Sequence, residues 1–435
     1  MNLPACLDDW LRHLENLRPG GQAGIELGLA RMQQMGDALG QTQRIPVITV
    51  GGTNGKGSTC AYLETMLCFS GHRVGCYTSP HLFTYNERIR INREPVSDAM
   101  LCAAMARVET VRQALGGVAL TYFEFGTLAA WEIFTTAGVE VAVLEVGLGG
   151  RLDAVNYYDA DLSIVTSVDL DHTDWLGETR EDIGYEKAGI FRAGRPALCA
   201  DPVPPQRLLE HAQTLGADLR LIGRDFGYCR DAENRQQWHW WCRSGEETRR
   251  RTLAYPVLRG GVQLQNATVA LAALDTLAER LPVPMQAIRR GLLETELPAR
   301  FQVLPGRPAV ILDVAHNPQA VRKMVDNLAE MGFFERTYAV VGMLADKDAA
   351  AALIALKGKV DAWFVATLDG ARGQSAERLA GTIRQLALGG EVNCFDSPAQ
   401  AMRAAQGRAG ESDRILAFGS FHTVAGALQT LKNGR

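Results

Sequence analysis

No stretch of about 18 uncharged apolar residues occurs in this 435-residue chain, so nothing in it reads as a membrane-spanning helix. Its nine cysteines are odd in number and contain no C-x-x-C pair, which argues against a zinc site or a disulfide frame and leaves scattered core thiols of a reducing compartment. Neither sign of charge is in large excess: 45 Lys and Arg stand against 49 Asp and Glu, a net charge of -4, which argues against a general nucleic-acid or membrane surface. Asp8, Asp9 and Glu15 lie where a secretory leader would be basic and then apolar, so the expected location is cytoplasmic. Internal repeats, low-complexity tracts and the N-K-x-D guanine signature of a GTP switch are absent too. What is left is a globular chain of ordinary hydrophobic content, 47%, long enough for two or three domains and suited to small-molecule partners.

The most informative segment present is Val47-Ile48-Thr49-Val50-Gly51-Gly52-Thr53-Asn54-Gly55-Lys56-Gly57-Ser58. A β-branched apolar run breaks into a glycine-rich turn with one lysine, and Thr59 to Phe69 then reads as a helix. At such a junction backbone N–H groups and the helix N-terminus face an anion, and Lys56 adds a cation for the β- and γ-phosphates. The match to G-x-x-x-x-G-K-[ST] is imperfect, because Gly57 separates Lys56 from Ser58 and the leading glycine is one position short. A purely structural turn would need neither the lysine nor so many glycines.

Apolar runs then alternate with helix-like stretches, the signature of a parallel α/β sheet: Val141 to Val146, Leu162 to Val168 and Ala197 to Ala200. Between Arg224 and Pro256 the chain becomes richer in charge, and Trp238, Trp240 and Trp241 stand beside Arg249, Arg250 and Arg251. With Glu246 and Glu247 offsetting the arginines, a short antiparallel meander with half-buried tryptophans is expected in preference to a nucleic-acid surface. Helix-like sequence runs from Asn266 to Arg280, and a second alternation follows at Ala309 to Val314, Thr337 to Val341, Ala362 to Ala366 and Arg414 to Phe418. The expected division is residues 1–297, a P-loop NTPase-like, mostly parallel α/β sheet domain with a β-rich excursion near 224–256, and 298–435, a smaller Rossmann-like α/β domain.

In open α/β sheets ligands sit beyond the carboxyl ends of the strands. Glu145 falls there, followed by a glycine loop from Gly147 to Gly150, and suits either Mg²⁺ or the role of a satisfied buried acid. His172, in Asp169-Leu170-Asp171-His172-Thr173-Asp174-Trp175, is a ligand or a cap at the next strand's end. Asp313 and His316 follow the first run of the second domain, where Asp313 could bond ribose hydroxyls and His316 could lie against a base or phosphate, while Asn317-Pro318 reads equally well as a helix cap. Lys187 reads, by itself, as a solvated helix residue.

Eight motifs in order resemble the dihydrofolate synthase/folylpolyglutamate synthase family of the Mur ligase superfamily, across nearly the whole chain. They are Gly52 to Ser58, Ser79 to Leu82, Tyr122 to Gly126, Glu145 to Asp153, Asp171 to Gly177, Glu186 to Phe191, Asp313 to Pro318 and Gly419 to Ala425. The resemblance implies that Thr53, Asn54, Gly55, Lys56, Gly57 and Ser58 hold the ATP phosphates and that Ser79, Glu145 and His172 ligate two Mg²⁺ ions, with K⁺ as a further cation. It implies that Lys187 is carbamylated. It puts Glu26, Leu27, Gly28 and Leu29, Thr121, Tyr122, Phe123 and Glu124, and Leu152, Asp153 and Ala154 on the pterin site, and Asn266, Arg300 and Asp313 on the nucleotide, where His316 is expected from its place at the strand end. Lys56, Lys187 and His172 are the expected catalytic groups. Phe123, more than Phe125, is expected to stack on the pterin or aminobenzoyl ring. Pro298-Ala299-Arg300 departs from the family, which commonly has glycine before the arginine.

The implied activity is ATP-dependent ligation of L-glutamate to dihydropteroate and to folates through an acyl phosphate, by a monomer without nucleic-acid or membrane partners. Two other readings stand beside it: a Mur-type ligase acting on a nucleotide-linked peptide precursor, and a nucleotide-dependent switch or motor.

Overall fold

Val47–Gly51 is buried along its whole length, as a strand covered on both faces must be, and this strand, β1, lies inside the larger sheet of the computed structural model. The structure describes residues 3–18, 24, 26–41, 45–231, 233–234 and 236–433. The chain divides into two units, Met1–Val257 with Gln263–Thr295, and Leu258–Val262 with Glu296–Arg435.

The first unit holds an eight-stranded sheet made of β1, β2 (Val74–Tyr77), β3 (Ile89–Ile91), β4 (Glu94–Pro95), β5 (Val141–Glu145), β6 (Leu162–Val165), β7 (Pro196–Cys199) and β8 (Asp218–Leu221). Their order is β4-β3-β2-β5-β1-β6-β7-β8; β3 pairs antiparallel with both β2 and β4, and the remaining pairs are parallel. The chain builds β2 and β5 on one side of β1 and then crosses to β6 on the other, so the strand order switches about β1, where α/β sheets place ligands. The helix Lys56–Phe69 leaves β1 directly and is buried from Ser58 through Leu67, so its apolar content is spread around the helix and not confined to one face.

β6 ends at Val165, short of the expected Val168. The next residues turn back over the phosphate loop, where the Thr166 N–H donates to Gly51 O at 2.9 Å and the Thr53 N–H to Ser167 O at 2.8 Å. The excursion is an antiparallel meander of β9 (Phe226–Arg230), β10 (Gln237–Ser244) and β11 (Glu247–Ala254). Two of its tryptophans differ from expectation while Trp241 is half-buried as expected: Trp238 and Trp240 are 0% exposed, because alternate residues of β10 share one face, and each indole N–H finds a carbonyl, Ala254 O at 2.9 Å and Thr268 O at 3.2 Å. Arg249 and Arg251 pair with Asp275 of the helix Gly261–Thr276, which begins earlier and ends earlier than the sequence suggests. The cysteines are free, but Cys6, Cys229 and Cys394 are exposed and so are not core thiols. Among the described residues no helix is long and apolar enough to cross a membrane.

The second unit is a six-stranded sheet of β12 (Gln302–Leu304), β13 (Ala309–Asp313), β14 (Thr337–Val341), β15 (Ala362–Ala366), β16 (Glu391–Phe395) and β17 (Arg414–Phe418), in the order β12-β13-β17-β14-β15-β16. All pairs are parallel except that of the edge strand β12. It carries its own core, which includes Ile311, Val341, Trp363 and Phe418.

Candidate active site

The phosphate loop is shaped by two close approaches. A Cβ on Gly52, at φ +139°, would lie 1.9 Å from Thr166 Oγ1, and one on Gly55, at φ +92°, would lie 2.4 Å from Asn266 Oδ1, so no larger residue fits either position. Gly55 precedes the helix Lys56–Phe69, whose N-terminus has no side-chain cap, which leaves its first N–H groups available to an anion. Lys56 Nζ donates to Gly52 O at 3.0 Å, the Asn54 N–H to Ser167 Oγ at 3.1 Å, and the Asp169 N–H to Thr53 Oγ1 at 3.0 Å. Asn266 donates to Gln263 Oε1 at 3.2 Å, and Gln263 to Ser58 Oγ at 3.3 Å, so one helix backs the whole loop. Thr166, Ser167 and Gln263 were missed in the sequence; the first two follow β6 directly, and the strand-end rule could have found them.

Glu145, the last residue of β5, is buried and accepts the Ser79 N–H at 3.0 Å, which brings together the ends of β5 and β2. His172 is half-buried at φ +54° and its N–H donates to Asp171 Oδ1 at 2.9 Å. Among the described residues no group of three or more His, Cys, Asp or Glu side chains is placed to hold a metal. The donors present still suit a nucleotide-borne ion, because Mg²⁺ takes one or two protein carboxylates and completes its shell with water and phosphate oxygens.

Lys187 is not a solvated helix residue. It is 4% exposed, near the end of the helix Arg180–Ala188, and burial together with repulsion from Lys56 pushes its ammonium down to about 7, against the opposing pull of Asp171 and Asp153. Asp153 is buried as well, and burial raises its carboxyl to about 7 although the N–H groups of Leu148 and Val155 donate to it at 2.8 and 3.1 Å. The bond from Val155 also makes it the N-cap of the short helix Ala154–Tyr157.

The three segments assigned to the pterin come together. The Gly28 N–H donates to Leu152 O at 3.2 Å. Arg31 bonds Glu26 Oε1 at 2.6 Å and Glu124 Oε1 at 3.0 Å, while Glu124 and Thr121 close a capping box on the helix Tyr122–Thr136. Leu27 and Leu29 are half-buried between these anchors. Arg31 lay outside every motif, and nothing local marks it. Phe123 stacks on Tyr77, with centroids 5.6 Å apart, and a Cβ on Gly147 would come within 2.7 Å of its ring. Phe125 is fully buried near Trp10 and belongs to the core.

In the second unit Asp313 ends β13 and accepts the N–H groups of Ala315 and Phe301 at 2.8 and 3.1 Å. Burial raises its carboxyl to about 6, opposed by Arg300, whose guanidinium lies 5.1 Å from the Phe421 ring. His316 Nδ1 is 2.8 Å from Val314 O, and Asn317 caps the helix Pro318–Glu330 by accepting the Ala320 N–H. Ala299 does sit at positive φ, +64°, a conformation that costs an L-residue about 1–2 kcal/mol; its carbonyl accepts the Val314 N–H and its N–H donates to Gln302, which hold it there.

A glycine-rich phosphate loop at the switch point of one α/β unit, followed by a second α/β unit, is the layout of a nucleotide-dependent ligase, and residues 299–421 match the Mur ligase, glutamate ligase domain. The dihydrofolate synthase/folylpolyglutamate synthase of Escherichia coli (strain K12) is 43% identical, over 98% of this chain and 95% of that protein. E. coli FolC in complex with DHPP and ADP superposes with a TM-score of 0.91 at 42% identity, covering 100% of both chains. A bifunctional folylpolyglutamate synthase/dihydrofolate synthase with Mn, AMPPNP and L-glutamate bound gives a TM-score of 0.88 at 42% identity, covering 99% of this chain and 100% of that one. The chain belongs to the dihydrofolate synthase/folylpolyglutamate synthase family.

Proposed function

We propose that this protein ligates L-glutamate to dihydropteroate and to folates at the expense of ATP. The observation that carries the reading is the buried Lys187 within electrostatic reach of the phosphate-loop Lys56 and of the carboxylates Asp171 and Asp153. A carboxylate does not react with an amine at neutral pH, since oxide would have to leave. It first attacks the γ-phosphorus of ATP, giving an acyl phosphate and ADP; the α-amine of glutamate then attacks the acyl carbon, and phosphate leaves from the tetrahedral intermediate.

In this reading Thr53 to Ser58 and Asn266 hold the phosphates, and Arg300, Asp313 and His316 serve nucleotide binding. Lys56 steadies the transferring phosphoryl group through charge and position. Glu145, Ser79 and His172 would hold Mg²⁺, which when bound neutralises charge on the phosphate oxygens. A second Mg²⁺ and K⁺ rest on the family resemblance alone. Neutral Lys187 adds CO₂ through a new N–C bond and releases a proton to solvent to become a carbamate, replacing an ammonium that would repel a cation with an anionic oxygen donor. Glu26 to Leu29, Thr121 to Glu124 and Leu152 to Ala154 cradle the pterin, with Phe123 offering its ring face.

ADP release with dihydropteroate plus L-glutamate, then with tetrahydrofolate plus L-glutamate, tests this directly. Release that depends on both the pterin and glutamate is expected. Release indifferent to the pterin, or binding of a UDP-linked peptide precursor in its place, would overturn it. Glu145→Gln and His172→Ala should each raise the Mg²⁺ concentration for half-maximal rate by about ten- to hundredfold, with part of the rate recovered at high Mg²⁺. An unchanged Mg²⁺ titration in both variants would make these residues structural.

A further inference from the structure

We propose that Arg88 is a carboxylate-binding residue of the site, one that receives either free L-glutamate or the glutamyl tail of a folate. Arg88 is only 9% exposed, and the contacts its guanidinium makes among the described residues are a hydrogen bond from Nε to His81 Nδ1 at 2.9 Å and the faces of Tyr85 and Tyr122, 5.2 and 5.6 Å from Cζ. None of these is an acid. Other arginines withdrawn from water in the same unit each carry a carboxylate: Arg90 has Glu64, Arg112 has Glu109, and Arg31 has Glu26 and Glu124. A guanidinium has five N–H donors, and Nε uses one, so the two terminal nitrogens keep a fork that matches a carboxylate. Aromatic faces offset part of the desolvation of such a cation but satisfy no N–H.

The loop is built to hold that fork still. Glu87 accepts the N–H groups of Leu82, Phe83 and Thr84 at 2.7, 2.8 and 2.8 Å, closing a capping box on the short helix Tyr85–Arg88, and the Thr78 N–H donates to Arg88 O at 2.8 Å. It also opens where the chemistry is: Ser79, which binds Glu145, is its second residue, and Tyr122 directly precedes Phe123. A second polar group nearby is unspent, since the buried Tyr85 hydroxyl finds no hydrogen-bond partner among the described residues. A preorganised, buried guanidinium that touches no acid, on the loop that carries Ser79 and against the Tyr122 ring, is what recognition of a substrate carboxylate requires.

The inference rests on the ligase reading, and the wild-type enzyme separates the two: glutamate-dependent ADP release establishes the reading before any variant is compared. KM values are then measured for ATP, L-glutamate, dihydropteroate and tetrahydrofolate in Arg88→Gln and in Arg88→Lys. Loss of a charge-assisted fork should raise one carboxylate KM by about ten- to hundredfold in Arg88→Gln and by less in Arg88→Lys, with the ATP KM unchanged. A rise in the L-glutamate KM with either acceptor identifies the free amino acid. A rise confined to tetrahydrofolate identifies the glutamyl α-carboxylate, which dihydropteroate lacks. If Arg88→Gln does not fold, Arg88→Lys, which keeps the charge but not the planar fork, still decides. Unchanged KM values for all three carboxylate substrates in a folded variant, or an ATP KM that moves with them, would overturn the proposal.

Discussion

Lys56→Ala should slow ligation by about 10²–10³, equivalent to about 2.7–4 kcal/mol, while the melting temperature stays near that of the parent. The rate falls because Lys56 supplies fixed positive charge where charge moves between phosphoryl oxygens. The fold survives because the side chain's hydrogen bonds are to the carbonyls of its own loop, Gly52 and Thr53, at 3.0 and 3.4 Å, and no core residue depends on them. Single-turnover ADP formation with dihydropteroate and glutamate is the measurement. Wild-type turnover in a folded Lys56→Ala protein would remove the phosphate-loop assignment.

Lys187→Ala should lose most of the activity, and a short carboxylic acid added to the buffer should restore part of it by supplying oxygen at the vacated position. The pH dependence has a definite sign. Carbamylation consumes the neutral amine, and with the ammonium pushed down to about 7 by burial and by Lys56, the neutral fraction grows as pH rises through 7. Activity that depends on Lys187 should therefore fall below pH 7, and added bicarbonate should help most there. A lysine at its ordinary value near 10.4 would instead have a neutral fraction that keeps rising about tenfold per pH unit through and above 7, with no levelling off there. Electron density at Nζ in a nucleotide- and Mg²⁺-bound crystal is the direct test. A bare Nζ, together with an active Lys187→Ala variant, would make Lys187 a buried structural lysine.

How much of this was legible in the sequence varies with the kind of residue. β1 and the phosphate loop announce themselves because a buried parallel strand is a continuous apolar run and the turn after it needs glycine at Gly52 and Gly55. The strands β14, β15 and β17 begin and end where their apolar runs do. β16 and β12, at the edges of their sheet, are only partly buried and leave weaker patterns. Lys187, by contrast, looks like any helical lysine, and Arg31 like any surface arginine.

The sequence by itself determined the alternation of strands and helices, the phosphate loop and the presence of an acid, a histidine and a lysine near strand ends, because those depend on local pattern and local backbone freedom. Only the tertiary structure decided which charged groups face one another. The bond from Arg31 to Glu124 spans 93 positions, and that from Thr53 Oγ1 to Asp169 O spans 116. Lys187 becomes a candidate for chemistry only once it is buried beside Lys56, and Arg88 only once its neighbours are known to be two aromatic rings and a histidine. The reason is physical: the desolvation and pairing of a charge depend on contacts the fold brings from distant parts of the chain, and these leave no periodicity in the segment that carries the charge.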